Sequence, residues 1–215
     1  MKKIAIVGAG GHGQEVFCLW RERVVSEEGD FEFIGFFDDN PAKKSNKYGN
    51  VVGNIERLNS IGYAVGVAIA VGNKDYVKNI KSRIKNPNIF YPNIIHPSVA
   101  FLDRSNVEIG MGNILSVDCI VSCNTKIGDF NLLNNRVVIG HDVSLGNFNI
   151  LNPNVMISGS VTIRDENFFG FNSAVLQGRR IGSNNTLSAG SILLRHIGDG
   201  QTYFGVPAKK MTLEK

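Results

Sequence analysis

The chain has 215 residues, 43% hydrophobic and 20% charged, with 23 Lys and Arg against 19 Asp and Glu for a formal net charge of +4. That length suits two modest domains, each able to bury a core. The mild charge does not point to a nucleic-acid partner, and no stretch approaches the roughly 20 apolar residues of a membrane span. Cys18, Cys119 and Cys123 are odd in number and lack metal-type spacing partners, so reduced thiols are expected rather than a disulfide framework or a metal site.

In chain order, Met-Lys-Lys-Ile runs straight into a strand, Ile4 to Val7, rather than into a cleavable signal, and a soluble cytoplasmic protein is expected. The strand ends in Gly8-Ala9-Gly10-Gly11-His12-Gly13, after which Val16, Trp20 and Val24 fall on one face of a helix. Strand, glycine turn and helix form an anion cradle: the turn lets backbone approach a diphosphate, and the free N–H groups of the helix start stabilise it. A tight turn without a ligand has the same sequence, and His12 suits either a phosphate contact or a helix cap.

A second strand, Phe31 to Phe37, ends in Asp38-Asp39, where a ribose or base finds acceptors, and a third, Val65 to Val71, ends in Gly72-Asn73. Lys74, Lys78, Lys81, Arg83 and Lys85 alternate with Tyr76, Val77, Ile80 and Ile84 at helical spacing, the pattern of a solvated helix face. Residues 1–95 are too few for a two-lobed dinucleotide fold, so one Rossmann-like lobe of mononucleotide size is expected.

From Ile109 to Leu193 an apolar residue recurs at every sixth position, and the second position of each hexad is usually Gly, Ser or Asn. Six is not a multiple of 3.6, so no helix keeps this series on one side. A three-sided parallel coil turns it inward each time. The small second position is expected to carry the bend. Asn113, Asn131, Asn149, Asn167 and Asn185 hold the fifth position of every third hexad, and a stacked asparagine ladder along one edge is expected.

Within the repeat, His141 is followed by Asp142. An imidazole is the natural base for an amine or hydroxyl, and a neighbouring carboxylate fixes its tautomer, but on a regular strand the two side chains point to opposite faces. The pair cooperates only at a bend.

Taken together, Val-Gly-Ala-Gly-Gly-His-Gly, the Asp-Asp pair, Ala-Val-Gly-Asn, Ile95-His96-Pro97, hexads carrying His-Asp, and Gly205-Val206-Pro207-Ala208-Lys209 resemble one family. It comprises the sugar O- and N-acyltransferases of the sialic acid O-acetyltransferase and bacillosamine-type amino-sugar N-acetyltransferase kind. The resemblance implies a left-handed parallel β-helix over residues 96–215, a homotrimer with sites between subunits, and acetyl-CoA as donor without a metal. The implied acceptor is a UDP- or dTDP-linked 4-amino-deoxy sugar in bacterial surface glycan synthesis. Sialic acid O-acetylation and a silent nucleotide-sugar-binding scaffold stand as alternatives.

It further implies His141 as general base, Asp142 as its acidic neighbour and Gly159 as an oxyanion donor. Gly10, Gly11, His12, Asp38, Asp39 and Gly72 would grip the nucleotide sugar. Phe171, Ala189, Lys209 and Lys210 would contact CoA. Ile150 stands where similar enzymes often have a second histidine, Arg164 replaces a usual glycine, and Arg179-Arg180 falls where an apolar segment is common.

Overall fold

The computed structural model describes residues 2–27 and 31–211. The chain divides into two compact units, Met1–Pro97 and Ser98–Lys215.

The first unit is a six-stranded sheet with helices. In chain order it runs β1 (Lys2–Val7), α1 (Gly11–Glu27), β2 (Phe31–Phe37), β3 (Ser45–Asn46), β4 (Gly49–Gly53), α2 (Ile55–Asn59), β5 (Val65–Ile69), α3 (Lys74–Arg83) and β6 (Ile89–Phe90). The sheet order is β3-β4-β2-β1-β5-β6, parallel except for the β3–β4 hairpin. The chain leaves β1 to one side for β2 and to the other for β5, so the glycine turn ends at a topological switch point, where open α/β sheets bind ligands. Val16, Leu19 and Trp20 of α1 are buried, as are Val65, Val67 and Ile69 of β5. The side chain of Val24, assigned to the same helix face, lies outside the described residues.

The second unit is a three-faced parallel coil. On the first face Ile114–Leu115, Leu132–Leu133, Ile150–Leu151, Phe168–Phe169, Thr186–Leu187 and Thr202–Phe204 pair in turn. The second face stacks Ala100–Phe101 through Ile120, Val138, Met156 and Ala174 to Ile192–Leu193, and the third runs from Val107–Ile109 to Arg180–Ile181. The stripe from Leu115 to Leu193 is buried throughout, while Ile109 at its start is half-buried.

Three features differ from the sequence expectation. Left-handed backbone falls at the fourth position of each hexad, not the second: Asp118, Asn124, Phe130, Arg136, Asp142, Phe148 and their successors have φ between 54° and 63°. The second position is small for another reason. A Cβ on Gly128 would lie 2.7 Å from the Gly146 carbonyl oxygen, and one on Gly170 would lie 2.4 Å from the Ala189 nitrogen, so the next coil leaves no room. Apart from the hexad that carries Arg179, the hexads also turn two side chains inward rather than one, because fifth-position residues such as Val137, Val143, Val155 and Ser191 are buried with the stripe.

The asparagine ladder forms as expected, and its side chains are buried inside one corner of the coil. Asn149 Oδ1 accepts from the Asn167 backbone N–H at 2.8 Å and from its Nδ2 at 3.1 Å, and the pattern repeats from Asn113 to Asn185. Satisfying both donors internally removes the cost of burying amides.

Candidate active site

The corner between the second and third faces stacks Cys123, His141, Gly159 and Gln177 at the same position of successive coils. Asp142 occupies the left-handed fourth position with φ 58°, and that bend answers the objection from strand geometry. Its carboxylate turns back so that Oδ2 lies 2.7 Å from His141 Nδ1, while Oδ1 accepts from Asn124 Nδ2 at 3.1 Å. The His141 hydrogen bond and then that from Asn124 hold the Asp142 carboxyl below its usual pKa against a small opposing effect of burial. An ionised carboxylate at Nδ1 fixes the tautomer in which Nε2 presents its lone pair.

The imidazole lies over Gly159, since a Cβ there would stand 2.5 Å from Nε2 and 2.6 Å from Cε1. Gly159 is buried beneath the ring, and its N–H has no protein acceptor among the described residues. A proton acceptor and an unused backbone donor therefore share one corner, the two elements that addition to a carbonyl needs. Asn124 escaped the sequence reading, although it stands 18 residues before Asp142 at the same hexad position.

Cys123 sits one coil below His141, nearer than sequence distance suggests, but the ring leans toward the coil above. Burial pushes the Cys119 thiol up to about 11, so it is no nucleophile at neutral pH. Among the described residues no group of three or more His, Cys, Asp and Glu is arranged to hold a metal, and no helix is long and apolar enough to cross a membrane.

In the first unit, Gly8 has φ 108°, and a Cβ there would press on the Ala70 carbonyl oxygen at 2.6 Å. Gly13 lies against the Gly8 carbonyl, letting α1 start close to β1. Gly10, Gly11 and Gly72 differ: a Cβ on Gly10 would meet only Lys43 Nζ at 3.7 Å, and on the other two nothing within 4 Å. The protein itself does not require those three to be glycine.

Asp38 Oδ2 accepts from the Ala9 N–H at 2.9 Å and from Lys43 Nζ at 2.9 Å, and Oδ1 from the Asn40 N–H at 3.0 Å. Burial pushes its pKa up, but these bonds outweigh it and leave the carboxyl below its ordinary value. Asp39 turns elsewhere, accepting from the Ile55 N–H at 3.1 Å at the start of α2 and from Arg83 Nη1 at 2.6 Å. His12 lies in the first turn of α1 with Nδ1 3.3 Å from Glu15 Oε2, and its buried Nε2 has no partner among the described residues. Lys43, missed from sequence, approaches the turn from the β3 hairpin, and Asn46 Nδ2 donates to the Ala9 carbonyl at 3.3 Å.

Phe171 and Ala189 stack in a different corner, between the first and second faces, with Phe171 58% exposed. Lys209–Lys210 pairs antiparallel with Thr202–Phe204 at the end of the first face, and both lysines are exposed. Ile150 is buried on the first face between Leu132 and Phe168. Within one chain, then, His141, Asp142 and Gly159 share a corner, Gly10, Gly11, His12 and Asp38 share the turn, and Phe171 with Ala189 stands apart from His141 across the second face.

Residues 3–84 match the family model of the PglD N-terminal domain. Comparison with curated proteins finds no match. Among solved structures, the acetyltransferase domain of PglB from Neisseria gonorrhoeae, in complex with acetyl coenzyme A, is 27% identical. The match covers 98% of this chain and 99% of that one at a TM-score of 0.85. PerB from Caulobacter crescentus, in complex with CoA and GDP-perosamine, is 24% identical over 99% and 98% of the two chains at 0.85. WeeI from Acinetobacter baumannii is 24% identical over 98% and 100%, also at 0.85. The second unit is accordingly a left-handed parallel β-helix.

Proposed function

We propose that this chain, with a PglD-type N-terminal domain followed by a hexapeptide-repeat prism, is a sugar acyltransferase. It transfers the acetyl group of acetyl-CoA to the amino group of a nucleotide-linked amino-deoxy sugar for glycan biosynthesis. The observation that carries the reading is the corner at His141, where Nε2 is directed by Asp142 and set against Gly159.

The acceptor nitrogen attacks the thioester carbonyl carbon and its proton passes to His141 Nε2. The Gly159 N–H stabilises the oxyanion, the C–S bond breaks, and the thiolate leaves with the proton returned by the imidazolium. Asp142 keeps Nδ1 protonated throughout, and Asn124 positions Asp142. No acyl-enzyme forms.

The nucleotide diphosphate lies on the glycine turn. Open space at Gly10, Gly11 and Gly72 supports this, as do the uncommitted Nε2 of His12 and the ammonium of Lys43. Asp38 organises the turn rather than offering a free acceptor, and Asp39 is held by the Ile55 N–H and Arg83. Phe171, Ala189, Lys209 and Lys210 contact CoA from another copy in a homotrimer, which agrees with their place away from His141 in one chain. The enzyme works in the cytoplasm, where its donor and acceptor are made.

Release of CoA thiol from acetyl-CoA against UDP-, dTDP- and GDP-linked amino sugars and sialic acid, with product masses, tests the reading. A gain of one acetyl on an amino sugar, lost by about 10²–10⁴-fold in His141→Ala, is expected. Full turnover in that variant refutes the base.

A further inference from the structure

The corner that carries His141 continues past Gly159 into a run of cations. The Ser160 N–H donates to the His141 carbonyl at 2.8 Å and the Gly178 N–H to the Gly159 carbonyl at 2.9 Å, so the turns stack directly above the base. The next two turns carry Gln177-Gly178-Arg179-Arg180 and Leu194-Arg195-His196. In the three turns above His141, residues 158–162, 176–180 and 194–197, there is no Asp or Glu.

Arg179 stands at a fifth position, which holds Thr125, Val143 and Val161 in the coils below. Its guanidinium is turned along the corner, with Nε donating to the Gln177 carbonyl at 3.0 Å and Nη1 to the Leu194 carbonyl at 3.4 Å. Arg180 and Arg195 are exposed, and none of the three has a carboxylate partner among the described residues. Neutral carbonyls orient a guanidinium without compensating its charge, which leaves a preset fork for a phosphate. From His141 to Arg195 is three coils, about 14 Å at the strand spacing of a parallel sheet, before the reach of the side chains is added. A donor whose thioester lies at Nε2 and whose arm follows the corner brings its far end to these arginines.

We propose that Arg179, Arg180 and Arg195 form the phosphate end of the acyl-donor site and select CoA by its 3′-phosphate. This rests on the reading of the chain as a CoA-dependent acyltransferase and assigns a function to a segment which that reading left unused. The site recognises a phosphomonoester next to a diphosphate, and the acyl group plays no part in it.

Calorimetric binding of CoA and of 3′-dephospho-CoA to the full chain tests the assignment without needing an acceptor. The unmodified chain should prefer CoA by tenfold or more, and the Arg179→Gln, Arg195→Gln double variant should bind the two within about threefold of each other. Arg195→Lys, which keeps the charge but not the fork, should retain part of the preference, with an unchanged melting temperature showing that the last coils remain folded. Equal affinities in the unmodified chain, or an undiminished preference in the double variant, overturn the proposal. A preserved CoA preference without acetyl transfer to any amino sugar would overturn the proposed reaction and leave this site standing.

Discussion

A methyl group at Gly159 would sit 2.5 Å from His141 Nε2, yet the atom it strikes is the end of a half-exposed side chain rather than backbone. The fold can yield there cheaply and the chemistry cannot. Gly159→Ala should therefore leave the melting temperature within a few degrees of the parent while lowering kcat by about 10²-fold, as expected for a base displaced by an ångström. A kcat near the parent's would mean that the ring's resting place is not its working place. Asp38 gives a complementary case, because its three hydrogen bonds hold the glycine turn and its carboxyl pKa is lowered from 3.8. A group with a depressed folded pKa contributes its full stability above the unfolded value and loses it as pH falls through the folded value. Asp38→Asn should cost the first unit roughly 1–2 kcal/mol at pH 7, and the gap from the parent should close as pH falls from 3.8 through the lowered folded value. Urea unfolding followed by the fluorescence of Trp20, the chain's 1 tryptophan, reads the first unit alone. A gap unchanged in acid would show that the carboxylate's charge is not what holds the turn.

The hexad is the element at which this sequence is most informative and also where it misleads. Its period reads directly as a three-faced coil because each inward position is filled by one apolar residue per six. Small residues, by contrast, are favoured both by a steric ceiling and by a left-handed backbone. The ceiling operates at the second position and the dihedral at the fourth, where Phe130, Arg136 and Phe148 accept positive φ and hide the signal. Asn124 was legible in principle from its 18-residue offset to Asp142, whereas Lys43 reaches the turn through a hairpin whose pairing no period announces. The ladder offers the sharpest test of the element. In Asn149→Leu the Asn167 backbone N–H and Nδ2 lose their shared acceptor while still buried, along with the hydrogen bond that Asn149 Nδ2 donates to Asn131 Oδ1. The expected loss is about 2–4 kcal/mol, seen as a lower thermal midpoint of the second unit. A change under about 0.5 kcal/mol would mean that water replaces the ladder.

At the scale of the whole molecule, the outward residues of the second and third faces differ in kind. The third presents Glu108, Lys126, Ser144, Thr162 and Arg180, whereas the second presents Ala100, Ile120, Val138, Met156, Ala174 and Ile192. Met156 is 54% exposed and Ile120 37%, which makes a continuous apolar stripe on a face that an isolated chain would leave in water. That face is bounded on one side by the corner of His141 and on the other by the corner of Phe171 and Ala189. Copies joined through it would bring the base of one to the proposed CoA contacts of the next, so assembly and catalysis should fail together. Met156→Glu places a charge in the middle of the stripe without touching His141, Asp142 or Gly159, and a buried unpaired carboxylate costs several kcal/mol. Sedimentation should show the parent as a trimer and the variant as a smaller species with its secondary structure retained, and acetyl transfer should fall by at least tenfold. A trimeric variant would remove the stripe from the interface. A monomeric variant with full turnover would show that one chain holds a complete site, and the separation of Phe171 from His141 would then count against Phe171 as a CoA contact.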